Sequence, residues 1–144
     1  ALKFLAKEKR NSSVEIKITC APHFNRILLQ EYPDNASALS GRGCMAGSSF
    51  CFISHIGGLQ PCGYLEIKCG NVRDSGFIKA WFESEVFNAL RDFSGYKGKC
   101  GICEFKRICG GCRARAYAKY ADYLREEPYC IYEPAAKINK VNCS

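Results

Sequence analysis

The feature that most constrains this chain is a run of four cysteines within residues 100–112, spaced Cys100-x2-Cys103-x5-Cys109-x2-Cys112. Glycines lie between and beside them, at Gly98, Gly101, Gly110 and Gly111. Glycine lets a backbone bend around a compact ion or cluster, and it lets backbone N–H groups approach thiolate sulfur. The segment is therefore predicted to bind metal through its thiols.

Other interpretations of these thiols are weaker. In a zinc ribbon the two Cys-x2-Cys pairs are normally about 15–20 residues apart, whereas only five residues separate them here. Unligated buried cysteines are common, but four at this spacing are not. A disulfide framework is disfavoured because the chain has an odd number of cysteines, 11, and no secretory signal. Zinc remains the alternative to an iron-sulfur cluster.

Four further cysteines flank the central motif: Cys44, Cys51 and Cys62 before it, and Cys130 after it. With the central four they make eight thiols, the number that two 4Fe-4S clusters need when each iron has a protein ligand. This number favours iron-sulfur clusters over one zinc ion.

The composition is that of an ordinary folded protein, with 144 residues, 47% hydrophobic and 24% charged. No apolar run is long enough for a membrane span, and residues 1–10 do not resemble a signal peptide, so a cytoplasmic location is expected. Met45 is the only methionine, which predicts that the chain is an excised or C-terminal piece of a longer protein.

Hydrophobic periodicity predicts the secondary structure in outline. Alternation over Val14–Thr19 predicts a strand, and Pro22 followed by apolar residues at helical spacing predicts a helix after it. The stretch Glu31–Gly43 is typical of a linker. Residues 50–62 predict a β-hairpin that turns at Gly57 and Gly58.

Two more helices are predicted before and after the central motif. The first follows Ser75, carries an apolar stripe of Ile78, Phe82, Val86 and Leu90, and is broken near Ser84. The second covers Arg113–Glu126 and ends before Pro128.

Taken together, the cysteine pattern resembles a known family. Cys44-x12-Gly57-x4-Cys62, the central motif and Cys130 are similar to the SPASM domain, the auxiliary-cluster module of radical S-adenosylmethionine (SAM) enzymes. The sequence around the cysteines is similar to that of one branch of the family, the enzymes of haem d1 and alternative haem biosynthesis. Examples are Phe50-Cys51-Phe52-Ile53-Ser54-His55 and Gln60-Pro61-Cys62-Gly63-Tyr64.

The resemblance implies one or two 4Fe-4S clusters with crossed ligand sets. Cluster I would be held by Cys44, Cys51, Cys62 and Cys112, and cluster II by Cys100, Cys103, Cys109 and Cys130. The last spacing departs from the family pattern, with two residues between Cys109 and Cys112 where three are commoner. Cluster II is therefore the firmer prediction. Cys20, Cys69 and Cys143 lie outside the pattern.

The chain lacks the Cys-x3-Cys-x2-Cys loop that binds the SAM cluster, so this chain alone is predicted not to cleave SAM. SAM and its cluster are expected on an N-terminal radical SAM domain. Because active sites of barrels gather at the C-terminal ends of their strands, Cys20 and His23 are candidate catalytic residues, with His55 in the hairpin as a third. Packing or solvation is the simpler explanation of either histidine.

Basic side chains gather around the central motif: Lys97, Lys99, Lys106, Arg107, Arg113 and Arg115. They would offset thiolate charge or attract an anionic substrate; a solvated basic face is the simpler alternative. Two clusters would add about −4 to the formal charge of +7. Arg113 and Arg115 are candidate substrate-binding residues, since arginine pairs well with carboxylates. No nucleic-acid motif accompanies the patch.

The predicted fold is α+β: a small cysteine-rich domain with a β-hairpin and two or three helices organised by metal clusters, preceded by a strand-helix remnant of a partial barrel. Residues 1–40 would be the barrel tail and linker, 41–136 the SPASM-like domain and 137–144 a C-terminal tail. The resemblance implies electron relay or substrate positioning during oxidative side-chain modification of a tetrapyrrole, with ferredoxin or flavodoxin as electron carrier. The alternatives are a peptide or protein maturase and a zinc-stabilised binding module.

Overall fold

The structure is a computed structural model that describes residues 1–34 and 41–136. Its helices and strands are short and are joined by long turns. In chain order they are α1 (Leu2–Asn11), α2 (His23–Glu31), β1 (Phe52–Ile53), β2 (Leu59–Gln60), α3 (Phe77–Glu83), α4 (Glu85–Arg91), a 3-10 helix (Phe93–Gly95), α5 (Gly98–Ile102) and α6 (Arg113–Tyr120). This is a small α+β fold, as predicted.

The N-terminal part is a pair of packed helices, α1 and α2. Helix α2 begins directly after Pro22, which confirms the helix predicted there. Helix α1 was not predicted, although Leu2, Leu5 and Ala6 recur at helical spacing. These residues pack against α2 in a small core around Phe24 and Leu28.

The strand predicted for Val14–Thr19 is wrong, because residues 15–19 have no regular secondary structure. A strand needs a neighbouring strand to pair with, and in the described ranges this segment has none. It is held instead by a hydrogen bond of 2.8 Å from Lys9 Nζ to the carbonyl of Ile16 and by packing of Ile18 on the helix pair.

The predicted hairpin is confirmed. Strands β1 and β2 are antiparallel, with Phe52 opposite Gln60 and Ile53 opposite Leu59. Gly57 has φ +84°, the left-handed conformation that a tight turn requires. Leu59 faces inward and joins Cys69, Ala80 and Phe87 in the main apolar core.

The helix break predicted at Ser84 is also confirmed. Ser84 separates α3 from α4, and its hydroxyl oxygen accepts a hydrogen bond from the backbone N–H of Phe87. The predicted apolar stripe is wrong in its first half, since Ile78 and Phe82 are 67% and 61% exposed. The break at Ser84 resets the helical phase, so these two residues do not share a face with buried Phe87.

Helix α6 is shorter than the predicted Arg113–Glu126. It ends at Tyr120 because Ala121 takes a left-handed conformation, with φ +54°. Asp122 then accepts the N–H of Leu124 at 2.9 Å in a turn. The chain thus returns to the cysteine-rich loop, which brings Cys130 toward the central motif.

Some predictions lie outside the described residues: Cys143, the tail 137–144 and residues 35–40 of the linker. None of the helices in residues 1–34 and 41–136 has the length and hydropathy that a membrane crossing requires.

Candidate metal centre

Four of the predicted thiols line a single cavity. Cys100, Cys103, Cys109 and Cys130 surround it, and its volume is about 440 Å³ with the open mouth included. Helix α5 carries Cys100 and is followed directly by Cys103, a turn carries Cys109, and Cys130 comes from the segment that follows α6. The structure therefore brings together the set predicted for cluster II.

The backbone around Cys109 is shaped by glycine. The N–H of Cys109 donates to the carbonyl of Phe105 at 2.8 Å, which closes the turn. Gly110 and Gly111 then have φ +73° and +61°. A Cβ on Gly111 would lie 3.1 Å from Cys100 Sγ and 2.5 Å from an Arg113 nitrogen, so no other residue fits without displacing them.

Several N–H groups donate to cysteine sulfur at this site. Cys109 Sγ accepts from the backbone N–H of Gly111 at 3.4 Å, and Cys100 Sγ accepts from that of Glu127 at 3.4 Å. The guanidinium of Arg113 adds a third such contact, to Cys100 Sγ at 3.5 Å. Such hydrogen bonds stabilise thiolate sulfur and orient it as a ligand.

Burial opposes ionisation of Cys103 and Cys109. It raises the pKa of Cys109 to about 12 and raises the pKa of Cys103. Thiolates at this site therefore need compensating positive charge, and the side chains of Arg26, Lys99 and Lys106 line the same cavity. A bound metal would supply more, since metal coordination deprotonates the thiols that it binds.

The donor set fits an iron-sulfur cluster. In residues 1–34 and 41–136, no three His, Cys, Asp or Glu side chains are placed closely enough to hold a single metal ion. The four thiols line a cavity wall, with N–H donors to the sulfur atoms of Cys100 and Cys109. Four cysteine thiolates with such donors can hold a 4Fe-4S cluster.

The cysteines predicted for cluster I are only partly assembled. The N–H of Cys44 donates to the carbonyl of Cys109 at 2.9 Å. Burial raises the pKa of the Cys112 thiol, and the nearby Cys44 adds to this rise. A hydrogen bond of 3.2 Å from the N–H of Gly47 to the carbonyl of Pro61 holds the segment of Cys62 near the same region. Cys51 instead packs on the main core, close to Cys69.

The two candidate substrate-binding arginines are used inside the protein. Arg113 is 1% exposed, and it donates to the carbonyls of Gly111, Tyr123 and Arg125. Arg115 forms a two-nitrogen ion pair with buried Glu127 and donates to the carbonyl of Cys20 at 3.1 Å. Both arginines thus hold parts of the domain together, and their role in binding substrate stays a prediction.

The three candidate catalytic residues do not form one site. His23 lines the cysteine cavity, whereas Cys20 lines a different cavity on the other side of Pro22. His55 is exposed in the hairpin turn, where its carbonyl accepts from Arg73. Burial and the nearby Arg115 lower the pKa of His23, which favours the neutral imidazole.

Sequence reasoning missed three residues that line the cavity: Arg26, Glu127 and Tyr132. Glu127 and Tyr132 lie within three residues of Cys130, so their position beside a predicted ligand was the available signal. Arg26 has no such neighbour and reaches the cavity only because α2 packs over it.

The comparisons with known proteins agree with this geometry. Residues 44–113 match the SPASM family, described as an iron-sulfur cluster-binding domain. This chain carries a SPASM domain. The matched residues include seven of the eight predicted ligands, and Cys130 lies beyond them.

Relatives of this chain include two proteins named AdoMet-dependent heme synthase. The one from Methanosarcina barkeri is 47% identical over 90% of this chain, and the one from Nitratidesulfovibrio vulgaris is 48% identical over 88%. A PqqA peptide cyclase from Rhizobium meliloti is 35% identical over 57% of the chain. These alignments cover 40%, 37% and 23% of the relatives' own lengths. No solved structure matches the chain significantly.

Proposed function

We propose that this SPASM domain binds a 4Fe-4S cluster through Cys100, Cys103, Cys109 and Cys130, and that it serves as the auxiliary-cluster domain of a radical SAM enzyme. The observation that carries the proposal is the single cavity lined by all four thiols. A bound cluster would supply one-electron transfer at this site. The protein holds the thiols, donates hydrogen bonds to sulfur and keeps cations beside them.

A second cluster, at Cys44, Cys51, Cys62 and Cys112, is part of the proposal with less support. Cys44 and Cys112 lie near each other, which favours it. Cys51 has to leave its place beside Cys69 to join them. Iron content therefore decides between one cluster and two.

The substrate that we propose is a tetrapyrrole, modified by oxidation of its side chains during haem biosynthesis. Support comes from the relatives named heme synthase, which match 88–90% of this chain at 47–48% identity. SAM, its cluster and the substrate would bind mainly on an N-terminal radical SAM domain, and a ferredoxin or flavodoxin would accept or supply electrons.

Metal analysis tests the cluster part of the proposal. We expect anaerobically purified protein to contain iron and sulfide, about eight of each per chain for two clusters or about four for one. Its visible spectrum should show the broad absorption of iron-sulfur clusters. Zinc without sulfide in protein never exposed to air would contradict the proposal and would favour the zinc-stabilised binding module.

A substrate assay tests the tetrapyrrole part. With SAM and a reductant, the full-length enzyme that contains this chain is expected to modify an iron porphyrin that has several carboxylate side chains, with loss of side-chain mass seen by mass spectrometry. The second candidate is peptide maturation, favoured by the relative named PqqA peptide cyclase. Turnover of a peptide and not of the porphyrin would replace the first candidate by the second.

A further inference from the structure

Helix α2 forms part of the wall of the cysteine cavity, although it belongs to the helix pair before the SPASM domain. Its residues His23 and Arg26 both line the cavity. They are three residues apart, and residues at this spacing lie on the same face of a helix. One face of α2 thus covers the four thiols.

Both side chains carry a buried nitrogen that has no hydrogen-bond partner in the described part of the chain. These atoms are His23 Nδ1 and Arg26 Nε. Arg26 is only 8% exposed, so water does not readily satisfy it. An unsatisfied buried polar group costs roughly 1–3 kcal/mol, and native proteins rarely retain one without a ligand or a function.

The other contacts of Arg26 fix its guanidinium and leave Nε without a partner. Nη1 donates to Gln30 Oε1 at 2.5 Å, one turn along the same helix. The guanidinium carbon lies 4.6 Å from the ring centroid of Tyr132, which also lines the cavity. Tyr132 is itself hydrogen-bonded to Glu104. Arg26 is therefore held in place by Gln30 and Tyr132, and not by the four thiols.

A group bound in this cavity, whose wall includes four thiols, would lie beside both side chains and would satisfy these two nitrogens if it accepted hydrogen bonds from them. The thiolates and sulfides of an iron-sulfur cluster are such acceptors, and they are negatively charged. A neutral histidine can place its proton on either ring nitrogen, and an acceptor beside Nδ1 selects that tautomer.

We propose that His23 and Arg26 donate hydrogen bonds to the sulfur atoms of the cluster at Cys100, Cys103, Cys109 and Cys130, and that they raise its reduction potential. Reduction adds negative charge to the cluster, so donors to sulfur stabilise the reduced form more than the oxidised form. This inference rests on the cluster proposed above. The two residues would be positioning residues for an electron-transfer centre. Through them, the preceding helix pair would influence the reduction potential of that centre.

The test is a redox titration of the full chain, followed by electron paramagnetic resonance. We expect Arg26→Gln and His23→Leu each to lower the equilibrium constant for reduction of one cluster about tenfold, equivalent to about 59 mV for one electron. Exchangeable proton couplings to that cluster should also decrease. His23→Asn keeps an N–H donor near the same position and should restore most of the potential.

The matched control is Arg125→Gln. Arg125 also stacks on a tyrosine, Tyr120, but its exposed side chain lies outside the cavity, so the potential should not change. If Arg26→Gln loses iron, Arg26→Lys takes its place, because it keeps the charge and removes the Nε–H.

The outcomes separate the two proposals. Iron-loaded variants at positions 23 and 26 with wild-type potentials would overturn this inference and leave the cluster proposal intact. A wild-type chain without iron and sulfide would overturn both.

Discussion

Replacing Cys109 with alanine is expected to remove about four iron and four sulfide per chain and to destabilise the fold by several kcal/mol. Cys109 is 9% exposed, and its sulfur accepts the N–H of Gly111. Apart from Cys100, Cys103 and Cys130, which are ligands themselves, no cysteine of the described chain lines this cavity to replace it. Because structural metal contributes folding free energy directly, cluster loss and instability should appear together. Metal analysis and chemical denaturation measure the two effects, and Cys103→Ala should behave in the same way.

Two control cysteines separate ligation from burial. Cys69→Ala removes a thiol that is equally buried, at 7% exposure, but that belongs to the apolar core. It should cost about 1 kcal/mol and keep the iron. Cys143→Ala, near the C-terminus, is predicted from the sequence to change neither the stability nor the iron content. Full iron content in Cys109→Ala would contradict the assignment of the site.

Replacing Glu127 with alanine is expected to lower the free energy of unfolding by about 3 kcal/mol, even in protein without metal. The carboxylate is 1% exposed and accepts from Arg115 Nε at 2.8 Å, from Arg115 Nη2 at 2.9 Å and from the N–H of Cys112 at 2.7 Å. Its removal leaves these donors, one of them on a predicted ligand, without their acceptor. Denaturant unfolding of apo and iron-loaded protein provides the measurement.

The matched control is Glu83→Ala, which breaks the ion pair with Lys79. That pair is 4.0 Å long, and both side chains are more than 60% exposed. Exposed pairs contribute roughly 0–1 kcal/mol, so this variant should be nearly as stable as wild type. Equal stabilities of Glu127→Ala and Glu83→Ala would show that the buried carboxylate is dispensable.

The sequence was most informative where a local pattern has one structural solution. Gly57 and Gly58 between β-prone segments predicted the hairpin, and Ser84 predicted the helix break, because turns and caps depend on a few adjacent residues. The family resemblance, rather than spacing alone, implied the set Cys100, Cys103, Cys109 and Cys130, and these are the four thiols that the cavity brings together.

The errors arose where tertiary contacts decide the outcome. Alternation at Val14–Thr19 could not reveal that the segment has no strand to pair with in the described structure. Arg113 carries a charge, and charged residues are mostly exposed, yet three carbonyls and a sulfur atom satisfy it in the interior. No local pattern identifies Arg26 as a cavity residue, because its position depends on how α2 packs.

The return of the chain after α6 has a consequence for folding. Cys130 lies 21 residues beyond Cys109, and α6 with its following turns occupies most of that interval. A cluster that joins these two thiols would act as a covalent cross-link and would remove loop-closure entropy from the unfolded chain. For a loop of this length the chain-entropy model gives roughly 3 kcal/mol. Iron insertion would thus hold α6 and its buried arginine against the cysteine-rich loop, as a disulfide does in a secreted domain.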